Sequence, residues 1–571
     1  MIEKEPLPEE IEDLEALEEG EGKEVRWLRT APGWVISLGL HLLVVFALTF
    51  FYIQQYVFVD DSTVSVGIRA PEGPKISEVE APKTEEPEKT EEPEETAGER
   101  DEFSAQESSD AADAGAEAAG DAERGSTVGV FDPGATATGR VGLRRPGGQK
   151  KARAKMSGTD RSIRGALKWL ARHQREDGSW STTRFHEACA RHGYTESCTR
   201  NEFDGNEQYD VGVTSLALLA FLGAGCLPSN RDSVFAASRG SEELGALLES
   251  SPTLTYGEVV KRACKFLIRS QDPSGRIGPA VDRHVYNHML GAAALAEAYG
   301  QTGMWLLRAP TEKAIRWIEE ARSPGKGWRY GFRGRDTDAS VTGWAVLALR
   351  SAETAGIAFD RSAFDDVRRW FDRATVSASV DPRLLGKNPG DIPGTWILTG
   401  YRSQRDAGNL VSVEGLNEHY HYTPSSSAIM VMSSFLMDGK PGPRAEKLIE
   451  TILDFPPVAW TPGEKASYRP VDFYYWYHAT YALFQATSKE DPRWTRWGEA
   501  IRRALIDTQN LKDAEGRCPE GSWDPIDRWS CEGGRVYATA MAALTLQVHY
   551  RYPRLVGLEK KERALRVEEK P

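Results

Sequence analysis

Six cysteines in 571 residues leave little room for a cysteine-built fold, and none shows the paired Cys-x-x-Cys spacing of a structural zinc site. Basic charge is short as well: Lys and Arg number 71 against 85 Asp and Glu, a formal net charge of -14. With no reading motif beside that acidic balance, the chain argues against nucleic acid as a partner. A nucleophile elbow, a Walker loop and a dinucleotide fingerprint are all missing, so the chemistries they serve have no foothold here. Long apolar runs are absent except for one.

That run, residues 34–59, is long and apolar enough to cross a bilayer. An acidic tail, 1–33, precedes it, and no small-x-small cleavage site follows, which favours a retained anchor over a signal peptide. Lys23, Arg26 and Arg29 lie before the run and Asp60 and Asp61 after it, so the positive-inside rule puts the N-terminus in the cytoplasm. The expectation is a single-pass protein of the cytoplasmic (inner) membrane, lipid its first partner, with the remaining chain outside. Residues 60–156 read as a linker. Its stretch 72–125, rich in Glu, Pro and Ala, cannot bury a core and is expected to be disordered. About 95 such residues reach on the order of 55 Å. A basic collar from Arg140 to Lys155 ends it, either solvated or placed for anionic head groups or the acidic linker.

Inside the apolar run His41 follows Ser37 by four residues, on one helix face. A neutral histidine bonded to the backbone is the plainer reading; an ionisable intramembrane residue is also a functional hypothesis by default. The Ser-x-x-x-His pair, with the Pro- and Glu-rich linker after it, resembles the TonB family of energy transducers. The resemblance implies coupling through Ser37 and His41 to a motor of the ExbB and ExbD type. The roughly 400 residues that follow replace that family's small C-terminal domain.

Those residues, 157–555, repeat one pattern: an apolar helix, a glutamine, a glycine and a tryptophan. The clearest copy is Ala166, Trp169, Leu170, Gln174, Gly178, Trp180. A second, Ala263, Phe266, Leu267, Gln271, Gly275, has Ile277 in the tryptophan position. A third, Ala314, Trp317, Ile318, Gly325, Trp328, has Arg322 for glutamine. The last stretches its loop from Gln509 to Gly521 and Trp523. Each copy precedes a more apolar helical segment, so the unit is a helical hairpin. First helices are expected near 161–174, 257–271, 311–321, 362–374, 443–454 and 494–509, amphipathic and facing water. Their partners, near 211–225, 286–300, 338–355, 424–438, 473–487 and 536–550, carry few charges and suit an inner ring. The fold expected is all-α, an (α/α)6 toroid in which neighbours bury what no hairpin buries alone, with a charged tail at 556–571.

The repeat resembles the QW repeat of the terpenoid cyclase and protein prenyltransferase superfamily. In the cyclase branch a DxDD motif at the toroid's mouth supplies an acid. The nearest match, Asp336-Thr337-Asp338-Ala339, puts Asp338 at the acid's position and Asp336 at the first aspartate, with alanine in the fourth. A helix N-cap is the plainer role for Asp338. The resemblance implies an isoprenoid ligand and an aromatic cavity, for which Trp344, Tyr474, Tyr475, Trp476, Tyr477 and Tyr481 are candidates, although four consecutive aromatics on a helix cannot all face inward. A tandem-toroid squalene cyclase would need a longer chain. In the prenyltransferase branch His478 matches a zinc ligand, but the Asp-x-Cys partner motif is missing. No cofactor is expected; zinc stays open through His419, His421 and His478. The Gly-Cys-Gly-Glu-Gln pentapeptide of complement-type thioester domains is absent. Cys189 with Cys198 and Cys518 with Cys531 are close loop pairs that could form disulfides in an oxidising compartment. Two functions result: a tethered binding or scaffold toroid for an apolar ligand, peptide or partner protein, or an isoprenoid cyclase using Asp338.

Overall fold

The computed structural model describes residues 158–188, 205–234, 254–281, 283–378, 396–404, 423–461, 471–510, 518 and 520–552, with His41 ahead of them. All but His41 belong to the unit Ala97–Pro571. Twelve α-helices account for most of the described chain. Alternate helices form two sets. The outer set is α1 (Gly158–Arg172), α3 (Tyr256–Arg269), α5 (Trp305–Ala321), α7 (Ser362–Ala374), α9 (Ala445–Leu453) and α11 (Pro492–Ile501). The inner set is α2 (Asp210–Gly223), α4 (His284–Thr302), α6 (Ala339–Thr354), α8 (Ser425–Asp438), α10 (Phe473–Ala486) and α12 (Ser530–Arg551).

Inner helices pack on one another in the order α2, α4, α6, α8, α10, α12, and α12 returns to α2, which closes the ring. Outer helices α1, α3, α5, α7 and α9 each lie against two inner ones, α1 against α12 and α2, and α11 lies against α10. The division follows the sequence: the outer helices expose one charged side, while α2, α6 and α10 are buried almost all round.

Each element of the repeat has a mechanical task. Gln174 donates from Nε2 to Gly178 O in its own loop and to Val259 O of the next outer helix. Gln271 does the same with Gly275 O and Pro310 O. Gln509 donates to Gly521 O and to Ser162 O of α1, joining the last hairpin to the first. Arg322, in the glutamine position of the third copy, reaches α7 through Asp366 at 3.1 Å. The indoles of Trp180, Trp328 and Trp523 donate back to Leu170 O, Ile318 O and Leu505 O at 2.7, 2.7 and 2.9 Å. Their backbone N–H groups meet a threonine of the following inner helix, Thr214, Thr342 or Thr539; at Ile277 the acceptor is His288 Nδ1.

Among the described residues, one two-stranded sheet departs from the all-α pattern. Strands β1 (Thr375–Ala378) and β2 (Trp396–Thr399) pair antiparallel with Thr375 opposite Thr399. Their β-branched and aromatic residues suit a half-buried ladder, and Thr375 and Thr399 bond across it at 2.9 Å. Among the described residues no helix is long and apolar enough to cross a membrane; 34–59 lies outside them apart from His41, an exposed helical residue.

Candidate functional site

Where the six inner helices begin, their N-terminal halves surround a central cavity enclosing about 970 Å³ of unfilled space, mouth included. Every inner helix contributes: Leu216 from α2, Leu290 from α4, Trp344 from α6, Ile429 from α8, Tyr474 from α10 and Met541 from α12. Most of the wall is apolar. Loops supply the rim, with Tyr209, Arg283, Tyr330, Tyr401 and Trp529. The β-hairpin explains how Tyr401 arrives there, since β2 runs into it and its carbonyl accepts from Ala339 N at 2.9 Å. A break inside α12, where Gly534 has φ 60 and ψ -162, carries Glu532 and Gly533 to the mouth.

Asp338 is fully buried and caps α6, accepting from Val341 N at 2.8 Å. The cap is also the end of a hydroxyl chain. Ser340 Oγ donates to Asp338 Oδ1 at 2.7 Å, Tyr286 donates to Ser340, and Tyr401 lies 3.1 Å from the same Oγ and 2.5 Å from the Tyr330 hydroxyl. Ser340 and all three tyrosines line the cavity, so Asp338 reaches it through one hydrogen bond. Burial pushes its carboxyl up to about 6, against the opposing hydrogen bonds and Arg329 at 4.0 Å. Asp336 stands outside: it is exposed and pairs with Arg329 at 3.0 Å. It takes no part in the cavity wall.

A second acid, not apparent in the sequence, lies before α12. Asp527 accepts from Ser530 Oγ at 2.6 Å, Phe473 N at 3.0 Å and Tyr537 OH at 3.2 Å. Tyr537 lines the cavity. Burial, and then the charge of Asp472, push Asp527 up to about 7. Asp472 caps α10 and is held by Thr423 at 2.7 Å and Arg528 at 3.4 Å. The signal available in sequence was an aspartate just before an inner helix.

Of the aromatic candidates, Trp344 and Tyr474 line the cavity. The remaining four are packing elements, because successive helix positions turn away from it. Tyr475 donates to Ile452 O and Phe455 O of the outer layer, and Trp476 sets its ring edge to Phe473. Tyr477 stacks behind Trp344 and bonds Tyr552 at 2.9 Å, and Tyr481 packs on Tyr552. His478 is buried behind Trp344 and Tyr474, with Nδ1 bonded to Tyr474 O at 2.8 Å and Nε2 unpartnered, and burial lowers it to about 4. His419 and His421 lie outside the described residues. Among those residues no group of His, Cys, Asp or Glu is placed to hold a metal, so His478 has no zinc partners within them.

Cys518 and Cys531, a candidate disulfide pair by their spacing, are not joined. Cys518 is buried 3.0 Å from His173 Nε2, and Cys531 donates to Arg528 O in the first turn of α12. Cys189, Cys198 and Ser37 lie outside the described residues. Cys226 and Cys264 are free and buried.

No family model matches the chain, and no curated protein matches it. Among solved structures it is similar to an unsaturated glucuronyl hydrolase (UGL) variant recorded with dGlcA-Glc-Rha-Glc, at 14% identity and a TM-score of 0.37, over 70% of this chain and 96% of that one. The ring described above rests on its own contacts.

Proposed function

We propose that the toroid is a binding chamber for an apolar ligand, of the terpenoid cyclase and prenyltransferase type that its repeats resemble, carried outside the cytoplasm on a membrane anchor. The observation that supports it is the largely apolar cavity walled by all six inner helices, with a few polar groups converging on it. A closed ring of hairpins fixes that space rigidly, so an entering apolar body gains desolvation without reordering the wall.

A second reading, acid chemistry on an isoprenoid, is favoured by the chain from Asp338 through Ser340 to Tyr286 and Tyr401. It requires Asp338 to be protonated when substrate is bound, and hence activity that falls above about pH 6. The coupling reading through Ser37 and His41 is separate: co-purification with a proton-channel motor that survives His41→Ala counts against it.

The test is organic extraction and mass spectrometry of the full-length protein beside Leu290→Trp, which fills the cavity. A ligand held by the parent and absent from the folded variant supports the chamber. Identical extracts refute it.

A further inference from the structure

Six helix N-termini aimed at one chamber would favour an anion, at roughly half an elementary charge each. Carboxyl side chains oppose that sign: Glu532 stands in the wall itself beside Arg283, while Asp338, Asp472 and Asp527 are buried behind it. Asp338 caps α6, Asp472 caps α10, Asp527 accepts from Phe473 N, and Asp210 and Glu532 stand in the first turns of α2 and α12. Asp472 has Arg528 at 3.4 Å and Glu532 has Arg283 at 3.9 Å. Arg329 lies closer to Asp336, at 3.0 Å, than to Asp338, at 4.0 Å. Asp527 is held by hydrogen bonds from Ser530, Phe473, Trp529 and Tyr537 rather than by an arginine. Around these carboxyls the wall presents the rings of Tyr286, Trp344, Tyr401, Tyr474 and Tyr537, whose faces attract cations, while the Tyr330 ring already has Arg283 and Arg329 over it at 5.3 and 5.2 Å. The Tyr474 hydroxyl is buried beside Tyr286 and Trp344 and makes no hydrogen bond of normal geometry, which leaves an oxygen for a ligand.

Resting on the apolar-chamber reading, we infer that the ligand carries a cationic head of the quaternary ammonium type, seated between the Asp338 and Ser340 wall and the Asp527 and Tyr537 wall. In the ring order α6 and α12 stand opposite one another, and each carboxyl lies behind its wall, one hydrogen bond from the cavity through Ser340 or Tyr537. The apolar body then lies against Leu216, Leu290 and Met541.

The groups facing Asp338 are Arg329 and the tyrosines 286, 330, 401 and 474; those facing Asp527 are Tyr537, Cys531 and Asp472 with its partner Arg528. A cation stabilises the ionised form of both acids. Below about pH 7 binding therefore expels protons, and affinity rises with pH through about 6 to 7 and levels off above.

The experiment uses full-length protein in nanodiscs, with empty nanodiscs as control, and titrates hexyltrimethylammonium, 1-hexanol and hexyl sulfate by calorimetry in two buffers of different ionisation heat. The inference expects the ammonium to bind about tenfold more tightly than hexanol at about pH 8, to weaken about tenfold by about pH 5.5, and to release protons as it binds. Asp527→Asn reduces the pH dependence; Tyr537→Phe, which keeps both acids, retains it. Equal affinity for ammonium and hexanol, or tighter hexyl sulfate, overturns the inference and leaves the apolar chamber standing. Binding by none of the three overturns both.

Discussion

Replacing Gly521 by alanine is expected to open the ring at its seam. Gly521 has φ +92, and a Cβ built there would fall on the carbonyl oxygen of Gly165 in α1 and within 2.6 Å of its carbonyl carbon. A left-handed backbone costs an L-residue about 1–2 kcal/mol. The first and last hairpins must also part, which lengthens the two 2.8 Å bonds from Gln509 Nε2 to Ser162 O and Gly521 O, at about 1 kcal/mol each. The sum is about 3–4 kcal/mol. Gly303 provides the control, because it also has positive φ, +63, but nothing lies within 4 Å of the added Cβ. Gly303→Ala should therefore show the backbone cost alone, about 1 kcal/mol. Urea unfolding of the full-length protein, followed by tryptophan fluorescence, compares the two. Equal losses, within about 0.5 kcal/mol, would refute the contact between first and last hairpins and with it the closed ring.

Gln174→Ala removes bonds to Gly178 O and Val259 O and should cost about 1–2 kcal/mol by the same urea assay. Tyr475→Phe should destabilise by about 1–2 kcal/mol, since it removes the hydrogen bonds to the carbonyls of Ile452 and Phe455, whereas Tyr474→Phe should leave stability nearly unchanged and alter only ligand binding. Both Asp338 and Asp527 are raised from 3.8, to about 6 and about 7. The folded state thus holds protons that the unfolded chain has lost, so their contribution is complete below about pH 4 and disappears as pH rises through about 6 and 7. Stability should fall by on the order of 3 kcal/mol between about pH 5 and pH 7.5, and Asp527→Asn should flatten that slope; an unchanged slope contradicts the assignment.

The hairpins were legible because their signals are local. Apolar periodicity places α7 at 362–374, as observed, and the other helices within a few residues except at α5, at α12 and at the end of α11, which gives way at Ile501 to a π-helical turn, Arg502–Ile506. Helix α5 begins at Trp305, earlier than expected, because Pro310 lies within it rather than before it. In α12 the glycines at 533 and 534 conceal an earlier start at Ser530. The glutamine, glycine and tryptophan positions announced a repeat, but not that each glutamine ties one outer helix to the next, since its second acceptor lies up to 347 residues away in sequence. The site was legible only in part, for the same reason. Tyr286, Tyr330 and Tyr401 come from three separate segments; Tyr286 and Tyr401 meet at Ser340, Tyr330 joins through Tyr401, and no spacing in the chain brings them together. Asp527 becomes an unusual acid only because Asp472, 55 positions earlier, is folded beside it. The run Tyr474 to Tyr477 drew attention as a lining, yet a helix turns about 100° per residue, and only Tyr474 faces the chamber.

The central claim is an apolar chamber at the N-terminal end of the inner ring, and the most direct measurement is a crystal structure under xenon pressure. Empty apolar cavities take up xenon, while polar ones hold ordered water. The account predicts xenon density between Leu216, Leu290, Trp344 and Met541. A column of hydrogen-bonded waters in that space, with no xenon, would contradict it.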